Sequence, residues 1–109
     1  MAFDERLAER IRKRLGKRKG LAEKKMFGGI AFLLNGNMCV GVHNQDLIVR
    51  LAPEETDQAL AEPHTRVFDL SGRPMKGWIL VESSGLKDEK TLGKWIRLSV
   101  GYALSLPKK

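Results

Sequence analysis

The stretch 24–42, KKMFGGIAFLLNGNMCVGV, constrains this chain more than any other. Two apolar runs meet at Asn35-Gly36. A two-residue type I′ turn needs positive φ at both central positions, and Asn and Gly tolerate it. The pattern predicts an antiparallel hairpin with strands over 29–34 and 37–43. Adjacent glycines, Gly28 and Gly29, interrupt the entry to it. Such a pair in a strand pattern marks a bulge or a close approach by another backbone. A phosphate-cradling loop is the other reading, but a dinucleotide fingerprint would be G-x-G-x-x-G opening a helix, and here a strand follows.

The rest of the chain can be placed around this hairpin. Residues 3–15 read as an amphipathic helix: Phe3, Leu7, Ile11 and Leu15 recur every fourth position, with Ala8 on the same side. Its acids come first and its bases last, as the helix dipole favours, and Gly16 or Gly20 can end it. Residues 17–23 read as a polar connection, and 24–27 as extended. After the hairpin, Asn44-Gln45-Asp46 makes a turn and 47–51 (LIVRL) a third strand. Pro53 suits the first position of a short helix that reaches about residue 62 and is closed by Pro63. Residues 67–70 and 76–82 read as strands, separated by a turn at 71–74. Asp88 is the expected N-cap of a last helix running to about residue 106. Gly93 and Gly101 inside it are costly positions that close packing could justify.

The order is therefore α-β-β-β-α-β-β-α. Tight turns make neighbouring strands antiparallel, and the two longer helices can cover one face of the sheet. The expectation is a single α+β domain over 1–109, with two layers and a five-stranded, mainly antiparallel sheet. A chain of 109 residues can bury a core without disulfides or metals. Its longest apolar run, 30–34, is far short of a membrane span. The N-terminus carries acids and has no apolar signal core. With one cysteine, the chain is expected in the reducing cytoplasm.

Charge is distributed unevenly. The net formal charge is +7, and Arg10, Arg12, Lys13, Arg14, Lys17, Arg18, Lys19, Lys24 and Lys25 crowd into 10–25 with Glu23 as the only acid. Such a stretch attracts polyanions, or it is simply a solvated helix face followed by a basic turn. A second candidate anion contact is Arg73 with Lys76, beside Trp78 as a stacking surface. Against it stands a plain turn at Gly72 and Pro74, with Trp78 in the core.

The segments KKMFGGIAFLLNGNMCVGV, LIVRL and GRPMKGW, in this order, resemble the N-terminal domain of the TfoX/Sxy family. The resemblance covers about 3–107, and 25–29 and 72–78 are its most specific parts. It implies a two-layer α+β fold with five strands, in agreement with the pattern above. Full-length members are linked to regulation of competence genes and carry a second, C-terminal domain that this sequence lacks. The resemblance carries over no catalytic or binding residue.

Nothing in the motifs points to catalysis. Cys39 is the only thiol, and His43, four residues on, is ~13–14 Å away along one strand. His64 would have to reach Cys39 through the fold. Asp69 and Glu82 could pair only across strands. No metal-ligand spacing, P-loop, G-x-S-x-G or H-E-x-x-H occurs. The expectation is a non-enzymatic interaction domain without cofactor or metal, compatible with a monomer or a homodimer. It would contact a protein partner through 10–25, as an accessory to transcription or competence regulation. The alternatives are a weak, sequence-independent nucleic-acid binder using the same bases, and a small-ligand or thiol-dependent protein with a site near Cys39.

Overall fold

The Asn35-Gly36 turn forms as the dipeptide predicts, with φ of 54° and 84° at its two central residues. This is seen in a computed structural model that describes residues 3–26, 28–68 and 76–108. The turn joins β2 (Gly29–Leu34) to β3 (Asn37–His43). A second tight turn, with Asn44 at φ 57°, leads into β4 (Asp46–Arg50).

Among the described residues the sheet has six strands rather than the five expected. The additional one, β1 (Leu21–Met26), pairs antiparallel with β2 from Leu21↔Leu34 to Met26↔Gly29. Its sequence, LAEKKM, carries no apolar alternation because it lies at the edge of the sheet and residues 22–25 are exposed. Hydrogen bonding to β2 specifies it, not its own pattern. β5 (Thr65–Val67) pairs with β6 (Trp78–Val81) and forms the other edge. It begins earlier than the expected 67–70, of which 69 and 70 lie outside the described residues. The strand order is β1-β2-β3-β4-β6-β5, and every pair is antiparallel.

Among the described residues three helices cover one face. α1 (Glu5–Leu15) is capped by Asp4, whose Oδ1 accepts from the Arg6 and Leu7 amides, and ends at Gly16 with φ 62°. A 3-10 turn at Pro53–Glu55 leads into the short α2 (Thr56–Leu60). α3 (Glu89–Ser105) is capped by Asp88, as expected. Leu7, Ile11 and Leu15 from α1, and Leu92, Trp95, Ile96 and Val100 from α3, pack against Ile30, Phe32, Val42, Val49 and Ile79 of the sheet. Each such side chain, fully buried, contributes roughly 1.5–3 kcal/mol. The far face carries a smaller cluster of Ala31, Met38, Ile48, Phe68 and Leu80, with Leu33 and Trp78 packed against it.

Alternation within β3 breaks at one point. Phe32 pairs with Val40 but Leu33 pairs with Met38, leaving Cys39 as an extra residue. Such a bulge places two consecutive side chains on one side. Cys39 therefore joins Val40 and Val42 on the helix side, and Met38 turns to the far face. Strict alternation would place Met38 with Val40 and Val42, and Cys39 with Gly41.

The two adjacent glycines have separate reasons. Gly28 has φ 72°, with open space where a Cβ would be. Gly29 passes so close to β3 that a Cβ would lie 1.9 Å from the Val42 carbonyl oxygen. This is the close backbone approach that the sequence pattern allows for.

Candidate partner-binding site

The basic stretch divides into arginines that are paired and lysines that are not. Arg10 Nε donates to Glu89 Oε2 at 2.5 Å, and its Nη2 donates to the Leu86 carbonyl. Arg12 forks onto Glu23, with Nε and Nη2 at 2.8 and 2.9 Å from the two carboxylate oxygens, and also meets Glu9. Hydrogen bonding to Glu23 holds the Arg12 guanidinium above its ordinary pKa; burial opposes this, and Glu9 adds to it. Arg14 reaches α3, donating to the Glu89 carbonyl at 2.7 Å. These contacts tie α1 to β1 and α3. Arg18 Nε donates to the Leu15 carbonyl at 2.9 Å, closing the end of α1.

Lys13, Lys17, Lys19, Lys24 and Lys25 are all exposed, and none makes an ion pair among the described residues. Lys24 and Lys25 lie on β1, the edge strand, and Lys19 shortly before it. Lys25 lies opposite Ile30 and so leans to the helix side, whereas Lys24 lies opposite Ala31 and leans to the far side. Lys13 and Lys17 extend the charge along the end of α1. A shallow recess of about 270 Å³ between Phe3, Glu5, Lys24 and Lys25 lies beside this edge. An edge strand offers unpaired N–H and C=O groups to any extended segment, and its lysines discourage partners that lack compensating acids.

The other expected residues fall elsewhere. Lys76 is exposed at the entry to β6, while Arg73 and Asp69 lie outside the described residues. Glu82 pairs with Arg66. Trp78 is half-buried and packs against Phe68 with the rings tilted by 37° and their centroids 5.8 Å apart. It also carries the Arg50 guanidinium 5.2 Å over its ring. No motif singles out Arg50, although a lone arginine in the apolar strand LIVRL, on the same face as Ile48, is a usable signal.

Cys39 is fully buried. Burial pushes its thiol up to about 12, with the charge of Arg18 acting weakly the other way. A nucleophilic thiol needs the opposite shift. His43 is half-buried, and its Nδ1 has no hydrogen-bond partner among the described residues. His64 is remote in role: its Nδ1 lies 3.0 Å from Ser84 Oγ in an exposed turn. These two line a cavity of about 330 Å³ beside the start of α3, where Glu62 is already paired with Lys94 and Asp88 caps the helix. Among the described residues, no group of three or more His, Cys, Asp or Glu is placed to hold a metal. No helix among them is long and apolar enough to cross a membrane.

A family model described as the TfoX N-terminal domain matches residues 13–103. No curated protein and no solved structure matches the chain.

Proposed function

Because this chain belongs to the TfoX N-terminal domain family, we propose that it is a non-enzymatic interaction domain. It binds a protein partner through the lysine-bordered edge of β1, as an accessory to transcription or competence regulation. The observation that carries this reading is the division of the basic stretch. Three arginines are neutralised within the fold, and of the five exposed lysines Lys24 and Lys25 lie on β1, an edge strand whose outer side is unpaired among the described residues. The partner that fits is an acidic, extended segment. It would add a seventh strand by backbone hydrogen bonds and place its carboxylates against Lys24 and Lys25. Self-pairing of β1 centred on Lys24 or between Lys24 and Lys25 would set like charges against one another, which disfavours those registers of a homodimer.

Nucleic acid is the second reading of the same lysines. They can contact phosphates, but stacking on bases requires exposed aromatic rings nearby. Phe3, the one described aromatic beside them, is half-buried against the core. This favours protein over nucleic acid.

The test is affinity capture from native cells, with and without nuclease. The wild type is compared with a variant in which Lys13, Lys17, Lys24 and Lys25 are changed to Glu. Reversing Arg12 or Arg14 would break internal ion pairs, so these stay. Expected is a protein partner retained after nuclease and lost in the variant. Unchanged recovery would reject the edge, and recovery abolished by nuclease would favour the second reading.

A further inference from the structure

We propose that Arg50 is a binding site for an oxyanion, a carboxylate or a phosphate, held ready between the rings of Trp78 and Tyr102. Three half-buried arginines are found among the described residues: Arg10, Arg12 and Arg50. The first two face carboxylates. Arg50 has none within ion-pair distance among the described residues. Among the described residues its side chain has one hydrogen-bond acceptor, the Met38 carbonyl, at a long 3.5 Å from Nη1. Glu54 and Glu55, the acids nearest to it in the following turn, are exposed and make no ion pair with it.

Two aromatic rings take the place of a counter-ion. The guanidinium carbon is 5.2 Å from the Trp78 ring centroid and 5.6 Å from that of Tyr102. Both distances lie within the range of cation–π attraction. Such contacts use no N–H group, so the guanidinium keeps its fork of donors, of which only Nη1 has an acceptor among the described residues, the Met38 carbonyl. Those N–H groups match the two oxygens of a carboxylate or phosphate. A strand fixes the base of the side chain, since Arg50 pairs directly with Trp78 across β4 and β6.

Two lysines lie toward the same end of the sheet. Arg50 sits at the end of the sheet where β3 and β6 begin. Lys76 is exposed at that entry to β6. The C-terminal end of α3 is anchored there too, by Asn37 Nδ2 donating to the Pro107 carbonyl at 2.9 Å, with exposed Lys108 next in the chain. β4 lies three strands in from β1, so this site is separate from the edge proposed above and stands or falls independently of it.

The experiment is a titration of the full chain with sodium acetate and, separately, inorganic phosphate. Sodium chloride at matched ionic strength is the control. The readouts are the NMR resonances of the Arg50 Nε–H and the Trp78 indole N–H. A saturable shift with acetate assigns a carboxylate ligand, and one with phosphate, or with both, assigns a phosphate-competent site. R50K keeps the charge but loses the fork, and should bind about tenfold more weakly, the loss of one charge-assisted hydrogen bond. Y102L leaves the arginine in place without one of its rings and should also weaken binding. Shifts no larger than those with chloride would overturn the proposal, as would R50K binding equal to wild type.

Discussion

Replacing Gly29 by alanine tests whether the β2–β3 pairing is as close as the structure has it. The new Cβ would lie 1.9 Å from the Val42 carbonyl oxygen and 3.0 Å from its carbon. Both atoms are backbone, so neither can rotate aside, and relief requires the strands to separate locally by about 1 Å against a spacing of about 4.8 Å. That loses at least one ladder hydrogen bond, worth about 1 kcal/mol, and adds overpacking strain of about 1–3 kcal/mol. The expected loss is about 3 kcal/mol, a large share of the stability typical of a small domain. In urea unfolding followed by tryptophan fluorescence, with a slope of about 1.5 kcal/mol/M, the midpoint should fall by about 2 M. Gly28→Ala is the internal control. Its Cβ meets nothing within 4 Å, but its φ is 72°, so only the left-handed conformation is penalised, at about 1–2 kcal/mol. A midpoint for Gly29→Ala within a few tenths of a molar of wild type would refute the reasoning. So would a larger effect for Gly28→Ala than for Gly29→Ala.

The buried thiol gives the protein an alkaline limb. The ordinary value of 9.0 rises to about 12 for Cys39. As pH rises above 9 the unfolded chain loses this proton and the folded one keeps it, so stability falls by about 1.4 kcal/mol per pH unit until pH approaches 12. The difference in unfolding free energy between wild type and Cys39→Ala, measured from pH 8 to 11, should shrink accordingly; parallel curves would contradict it. Gly101→Ala should raise stability by about 1 kcal/mol, because the site is helical and open to solvent. At Gly93 a Cβ would lie 2.5 Å from Arg14 Nη1, so Gly93→Ala should gain less than Gly101→Ala in thermal unfolding. Ser99 Oγ is buried without a hydrogen-bond partner among the described residues. Ser99→Ala should therefore stabilise by about 1 kcal/mol in urea, and a loss of stability would reveal a bond.

What the sequence made legible was local. Asn35-Gly36 and Asp88 carry their own backbone geometry, so the hairpin and the start of α3 stand where the residues place them. The periodicity of Leu7, Ile11 and Leu15 reports a buried face because α1 has only one side to bury. β1 was not legible because an edge strand with lysines and a glutamate outward has no period to read. The bulge at Cys39 was hidden for a related reason: it is set by pairing with β2, and no residue in NMCVGVH marks it. The basic stretch was visible as composition, but its division into paired arginines and free lysines depends on Glu89, distant in sequence, as well as on Glu23. Arg50 does not stand out in the sequence, because a single charge in a strand reads as an ordinary end of the apolar run. Only the rings of Trp78 and Tyr102, from separate elements, show how it is held.

The reading of the β1 edge is tested most directly by amide hydrogen exchange on the captured complex. If an acidic segment adds to β1, the backbone amides of Leu21–Met26 should become protected on partner binding, more than those of α3 or β5. Protection confined to another surface, with β1 exchanging as in the free protein, would contradict it.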